Sequence, residues 1–179
     1  MLAVARRRAG GERVTWVEAD ARDLDLNRRF DLVVLTGHAF QVFLTQADQL
    51  AVLRSIARHL APGGRFIFDS RSPLAKEWRE WGPAESQREL LDPELGKVTA
   101  WNDASHDATS GIVTYETHYR ITGDGRQLSA VTQIRFTLKE ELEKLIDQAG
   151  LAVDQWFGDW LGHEFCSGSP EIIPLGRLR

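Results

Sequence analysis

Phe30-Asp31-Leu32-Val33-Val34-Leu35 is the stretch that decides the fold. It is a nearly continuous apolar run, and such runs mark strands covered on both faces, as in parallel sheets. Upstream, Val14-Thr15-Trp16-Val17 reads as a strand that runs into an acidic turn, Asp20-Ala21-Arg22-Asp23-Leu24. Downstream, Thr45 and Asp48 make a capping-box start for a helix from about Gln46 to Leu60. Leu50, Leu53, Ala57 and Leu60 share one face of that helix. Pro62-Gly63-Gly64 stops it, and Arg65-Phe66-Ile67-Phe68-Asp69 follows as another strand. The order strand, strand, helix, strand with apolar strands predicts an α/β fold with a doubly wound, Rossmann-like sheet.

Working outward, Leu2 to Ala9 reads as the tail of a helix, with Arg6, Arg7 and Arg8 in its last turn and Gly10 just past its end. Beyond Arg71 the pattern changes. Ala75 to Trp81 reads as a short helix, and Val98–Trp101, Ile112–Ile121 and Leu128–Phe136 read as strands. Thr122-Gly123-Asp124-Gly125 joins the last two as a hairpin. Val113, Tyr115, Thr117, Tyr119 and Ile121 alternate as one strand face. This block is expected to be an antiparallel β insertion at about 72–136 within a single domain of residues 1–179. The α/β logic returns with a second capping box, Thr137 and Glu140. A stripe of Leu138, Leu142, Leu145, Ile146 and Ala149 follows, with Gly150 as its stop. Leu151–Phe157 and Glu171–Leu175 read as closing strands, with Pro174 expected to fray the last one after Ile173.

Composition narrows the function classes. The 179 residues carry 22 Lys and Arg against 26 Asp and Glu, a net charge of −4, which argues against a nucleic-acid binder that works by phosphate neutralisation. The single cysteine, Cys166, allows no intramolecular disulfide and fits a reducing, cytoplasmic setting. No apolar run approaches the ~20 residues of a membrane span, and MLAVARRRAGG does not read as a signal peptide. His38, His59, His106, His118 and His163 are scattered, without metal-ligand spacing.

The ends of strands are where open α/β sheets bind ligands, and this places the candidate residues. Thr36, Gly37 and His38 end the Phe30 strand. Gly37 admits close backbone approach, and His38 is read as a general base, a pocket wall or a structural histidine. Asp69, Ser70 and Arg71 end the next strand. Arg71 is read either as a bidentate clamp for an anionic substrate or as one half of an ion pair. Trp78, Trp81, His118 and Tyr119 are read as aromatic walls for an organic substrate or as the insertion's own core.

Asp20-Ala21, Phe30-Asp31-Leu32-Val33-Val34, the Pro-Gly-Gly turn, Thr36-Gly37-His38-Ala39-Phe40-Gln41 and Ser169-Pro170-Glu171-Ile172-Ile173 together resemble class I S-adenosylmethionine-dependent methyltransferases, over most of the chain. The resemblance implies S-adenosylmethionine as cofactor and a small-molecule acceptor. It also implies that the Asp20 carboxylate accepts from the adenine amino group and that the Ala21 amide meets the ring. Thr36, Gly37 and His38 would then meet the methionine part and the incoming nucleophile, and Phe40 and Gln41 the adenine or the cofactor's edge. Helix-start packing is the other reading of Phe40 and Gln41.

The departure from the family is its glycine-rich loop and the two strands around it, which this sequence does not show. Met1-Leu2-Ala3-Val4-Ala5-Arg6 is similar to the run after the second of those strands. The expectation is therefore an N-terminally truncated form with Met1 an internal methionine. Two absent strands would leave the Val14 strand roughly 14 Å from its sheet, so that Val14–Val17 either pairs directly with Phe30–Leu35 or packs poorly. Whether such a chain is active is left open. A non-catalytic fragment or binding module of the same fold is the alternative, and a dehydrogenase is disfavoured because no G-x-G-x-x-G precedes Asp20. Oligomeric state is not legible.

Overall fold

The computed structural model describes residues 2–179, so the reading of Met1 lies outside the described residues. A short α1 (Leu2–Ala5) ends before Gly10, whose φ of 84° is a left-handed turn. The main sheet follows. β1 (Phe30–Leu35) pairs in parallel with β2 (Leu60–Phe68), and α2 (Gln46–His59) crosses between them. The register jumps from Phe30↔Leu60 to Leu32↔Arg65, so Pro62-Gly63-Gly64 is absorbed into β2 as an irregularity instead of standing before it. The capping expected at Thr45 is present: its side chain accepts from the Asp48 amide at 3.0 Å.

The four-strand path β1-β2-β9-β3 is completed by β3 (Ser70–Arg71) and β9 (Glu171–Leu178), and β8 (Leu151–Phe157) pairs with β9 from the other side of the hairpin. β9 is antiparallel to all three of its neighbours. It does not fray at Pro174. β9 pairs with β2 through Leu175 and with β3 from Ile172, so Pro174 sits where the partner changes and its missing amide is tolerated.

A four-stranded antiparallel sheet forms between these halves: β4 (Arg88–Asp92), β5 (Gly96–Asp107), β6 (Ile112–Ile121) and β7 (Gln127–Arg135). β4 carries no strong alternation and was not expected, and β5 runs well past the expected Trp101. The stretch read as a helix from Ala75 is a single 3-10 turn, Glu77–Glu80, followed by a brief α3 (Pro83–Ser86). α4 (Lys139–Gln148) is capped differently from expectation. Leu138 is its N-cap residue with no side-chain bond, because the Thr137 hydroxyl is spent on the buried amide of Gln49, 2.9 Å away on α2.

The core lies between α2, α4 and one face of the sheet. Phe40, Val52, Leu53, Phe66, Phe68, Leu142, Ile146, Leu151 and Ile172 make one buried cluster. The other face of β1 is not covered: Leu32 and Val34 are 55% and 47% exposed, where the apolar run implied cover on both sides. Val14–Val17 forms no strand. It is extended chain with Val14 and Val17 both 49% exposed, and it does not pair with β1, whose outer edge meets no described strand.

Candidate active site

The parallel strands β1 and β2 end side by side, and the chain must turn away from β1 at once. It does so through two successive left-handed residues, Gly37 (φ 71°) and His38 (φ 58°). Glycine adopts this freely, whereas the histidine carries strain of about 1–2 kcal/mol. Asp69, at the end of β2 and 3% exposed, offsets it. Its carboxylate accepts from the Gly37 amide at 3.1 Å, the His38 amide at 2.8 Å and the Trp160 indole Nε1 at 3.1 Å. Asp69 thus clips the β1 tip, the β2 tip and the 158–170 loop together. Its role here is to hold the crevice's shape.

The turn aims the His38 ring across the sheet. Its Nε2 lies 2.8 Å from the Glu171 carboxylate at the start of β9. Among the described residues no group bonds the ring's Nδ1. The Glu171 carboxyl is pushed up from its ordinary value, first by burial and also by the charges of Asp69 and Glu77, with His38 opposing. Sequence reasoning noted Glu171 only as part of a closing motif. The signal for its partnership is spatial, because 133 residues separate it from His38.

Arg71 leaves β3 into the same region. Its Nε is 3.0 Å from Glu77, its Nη1 donates to the Gln41 side-chain oxygen at 3.2 Å, and its guanidinium lies 5.2 Å over the Trp81 ring. The ion-pair reading of Arg71 is therefore the one the geometry favours, since the chain's own groups occupy its fork. Gly37, His38, Arg71 and Trp81 face Asn102 and Tyr115 of the antiparallel sheet across a cavity of about 320 Å³. Asn102 and Tyr115 were missed, because alternation places a residue on a face without saying what that face covers.

The other expected residues are dispersed. Phe40 has no exposed surface and stacks on Phe68 at 4.6 Å, so the packing reading replaces contact with a cofactor. Gln41 is likewise fully buried and ties Arg71 to the Arg135 carbonyl. Trp78 packs edge-on against Phe136 at 4.7 Å and on His106 at 4.3 Å, in the insertion's own small core. Register puts His118 opposite Trp101, while Asn102 pairs with Thr117, so His118 points to the face away from the cavity. There it stacks on Trp101 with its Nε2 3.0 Å from Asp103. Tyr119 lines a separate apolar hollow with Leu91, Val98 and Leu128. Thr36 is exposed beside Gly37.

Asp20 is fully engaged. Arg22 donates to its carboxylate from Nε, Nη2 and its own amide, and reaches on to Asp48 in the first turn of α2 at 2.7 Å. This keeps the acid turn at the edge of the sheet where β1 ends. The Asp20 carboxyl is lowered from 3.8 to about 2 by that partner, so the pair adds stability above pH 3.8 and loses it as pH falls toward 2. An adenine amino group would have to compete with Arg22. Ala21 packs on the core behind it.

Residues 1–64 match the profile of the methyltransferase domain family. Over 99% of its length the chain superposes on the CcbJ methyltransferase from Streptomyces caelestis with a TM-score of 0.80, at 19% identity and over 73% of that chain. The chain has the class I methyltransferase fold. A second likeness is to an amino pentose methyltransferase of calicheamicin biosynthesis from Micromonospora echinaspora, solved with S-adenosylmethionine bound. There the TM-score is 0.64 at 20% identity, over 89% of this chain and 61% of that one. By sequence it is 29% identical over 158 residues to the cypemycin N-terminal methyltransferase of a Streptomyces species, which is 88% of this chain and 62% of that protein. The chain therefore spans less than two thirds of that methyltransferase. No helix among the described residues is long and apolar enough to cross a membrane.

Proposed function

We propose that this methyltransferase-fold chain takes part in transfer of a methyl group from S-adenosylmethionine to a small-molecule amine. The observation that carries the reading is the cavity between the β1 and β2 tips and the antiparallel sheet, with a histidine on its wall. At Gly37 no atom lies within 4 Å of where a Cβ would stand, so the backbone there is open to a bound group. That fits the methionine end of the donor. The donor supplies an activated methyl on a sulfonium, and displacement needs little covalent help from protein. Gly37 and Thr36 would hold the donor's edge, Trp81 and Tyr115 would wall in the acceptor, and Asp69 keeps those parts in register. Positioning and exclusion of water supply most of the acceleration in such a reaction. The amine preference rests on charge and on the relatives. On the cavity wall Arg71 is paired with Glu77 and His38 is bonded to Glu171, so the Arg71 guanidinium is balanced against an incoming ammonium, and the similar proteins include N-terminal and amino-pentose methyltransferases.

One observation favours a second reading, a binding module or inactive fragment: Arg22 already holds the carboxylate that the resemblance assigns to adenine. Calorimetric titration with S-adenosylhomocysteine separates the two. Micromolar binding is expected for the enzyme reading, while no heat at millimolar ligand would establish the second.

A further inference from the structure

We propose that Glu171 is a positioning residue that fixes the tautomer of His38, so that His38 presents a bare Nδ1 to the cavity as the base for the incoming amine. This rests on the methyl-transfer reading. Three observations carry it independently of any relative. First, the ring is not free to choose: His38 is held by its backbone amide on Asp69 at 2.8 Å and by its Nε2 on Glu171 at 2.8 Å. A carboxylate accepts and does not donate, so it selects the proton on Nε2 and leaves the lone pair on Nδ1. Second, the pair is sheltered, with His38 and Glu171 side chains 22% and 17% exposed, while His38 still lines the cavity. Third, Glu171 Oε2 is buried and makes no bond among the described residues, so the carboxylate spends its contact on the histidine.

Glu171 on β9 is bonded to the ring, Asp69 at the end of β2 holds the His38 backbone amide, and Asp69 and Glu77 act on the Glu171 carboxyl, while Arg71 on β3 is paired with Glu77. Burial also raises the Glu171 carboxyl, and a poorly solvated carboxylate gains more from a cationic partner than a hydrated one.

The amine arrives as its ammonium form and yields one proton to His38 Nδ1, which becomes an imidazolium paired with Glu171. The freed nitrogen lone pair forms the N–C bond to the methyl group. The S–C bond of the sulfonium breaks with its electron pair staying on sulfur, giving a neutral thioether. The proton then leaves His38 to water.

The test is ¹⁵N NMR of the histidine rings in the full chain, with and without S-adenosylhomocysteine. Glu171→Gln and Glu171→Asp are compared with the wild type. Expected are a protonated Nε2 and bare Nδ1 for His38 at neutral pH. In Glu171→Gln, whose amide can donate as well as accept, the two tautomers should mix, and Glu171→Asp should restore the single form. A merely structural contact would move the melting temperature and leave the tautomer alone. A proton on Nδ1 in the wild type overturns the proposal without any variant, which matters if Glu171→Gln does not fold. A single, unchanged tautomer in a folded Glu171→Gln overturns it as well. If the wild type fails to bind S-adenosylhomocysteine, the methyl-transfer reading falls and takes the base role with it. Binding with the wrong tautomer removes only the His38–Glu171 assignment.

Discussion

Gly176→Val is expected to cost about 3 kcal/mol or more of folding stability, a large share of the ~5–15 kcal/mol that holds a domain folded. Gly176 lies in β9 where that strand is paired on both sides, with Phe66 of β2 and Val153 of β8. A Cβ built there would stand 2.2 Å from the Ala152 carbonyl oxygen and 2.6 Å from the Phe66 ring. The ring is fully buried and part of the main core, and the carbonyl is backbone, so neither can step aside cheaply. Urea denaturation should show the midpoint falling sharply with an unchanged slope. A midpoint within a few tenths of a kcal/mol of wild type would show that β9 does not pack against Phe66 as described. Gly37 is the useful contrast. Open space surrounds it, and only its φ of 71° resists a side chain.

Asp69→Ala should be the second large effect, and it should reach the site as well as the stability. The substitution leaves the Gly37 amide, the His38 amide and the Trp160 indole without their acceptor in a place where Asp69 itself is 3% exposed. Leaving buried donors unmade costs about 1–3 kcal/mol each, and relaxation of an exposed loop recovers part of it, so about 3 kcal/mol in total is expected. Exchange of the Gly37 and His38 amide protons should accelerate more than that of the α2 amides, because the tip is freed locally. Asp69→Asn should fall between, since an amide keeps one acceptor oxygen and turns an NH₂ toward the same donors. Equal exchange acceleration throughout the chain would contradict the view of Asp69 as a local clip.

These effects also show how far the sequence reaches. Apolar periodicity located α2, β1, β8 and β6 to within a residue or two, because burial on one face imposes the period directly. It misjudged Val14–Val17, since four β-forming residues do not by themselves specify a strand: the outer edge of β1 meets no described strand, and they still do not pair with it. It also misjudged the cover on β1, because a run such as Leu32-Val33-Val34 looks the same whether one face or both is packed. Thr137 shows how a local rule loses to a distant partner: its hydroxyl could cap α4, but the buried Gln49 amide claims it. The site was half legible. Gly37, His38 and Arg71 stand at strand ends, where chain order alone puts them near one crevice, and Trp81 joins them from the 3-10 turn that follows β3. The distribution of Trp78, Trp81, His118 and Tyr119 over different faces depends on register, and a one-residue shift in β6 would exchange His118 for its neighbours. Glu171, Asn102 and Tyr115 meet the crevice only through pairing of strands far apart in sequence, which no window of residues encodes.

The central claim is that the tips of β1 and β2, with the turn at Gly37 and His38, form the seat of the methyl donor. It is tested most directly by following backbone amide resonances while S-adenosylhomocysteine is added. The account predicts saturable shifts concentrated at Thr36, Gly37 and His38 and extending to Glu171. Shifts confined to the apolar hollow around Tyr119, or no shift anywhere at millimolar ligand, would contradict it.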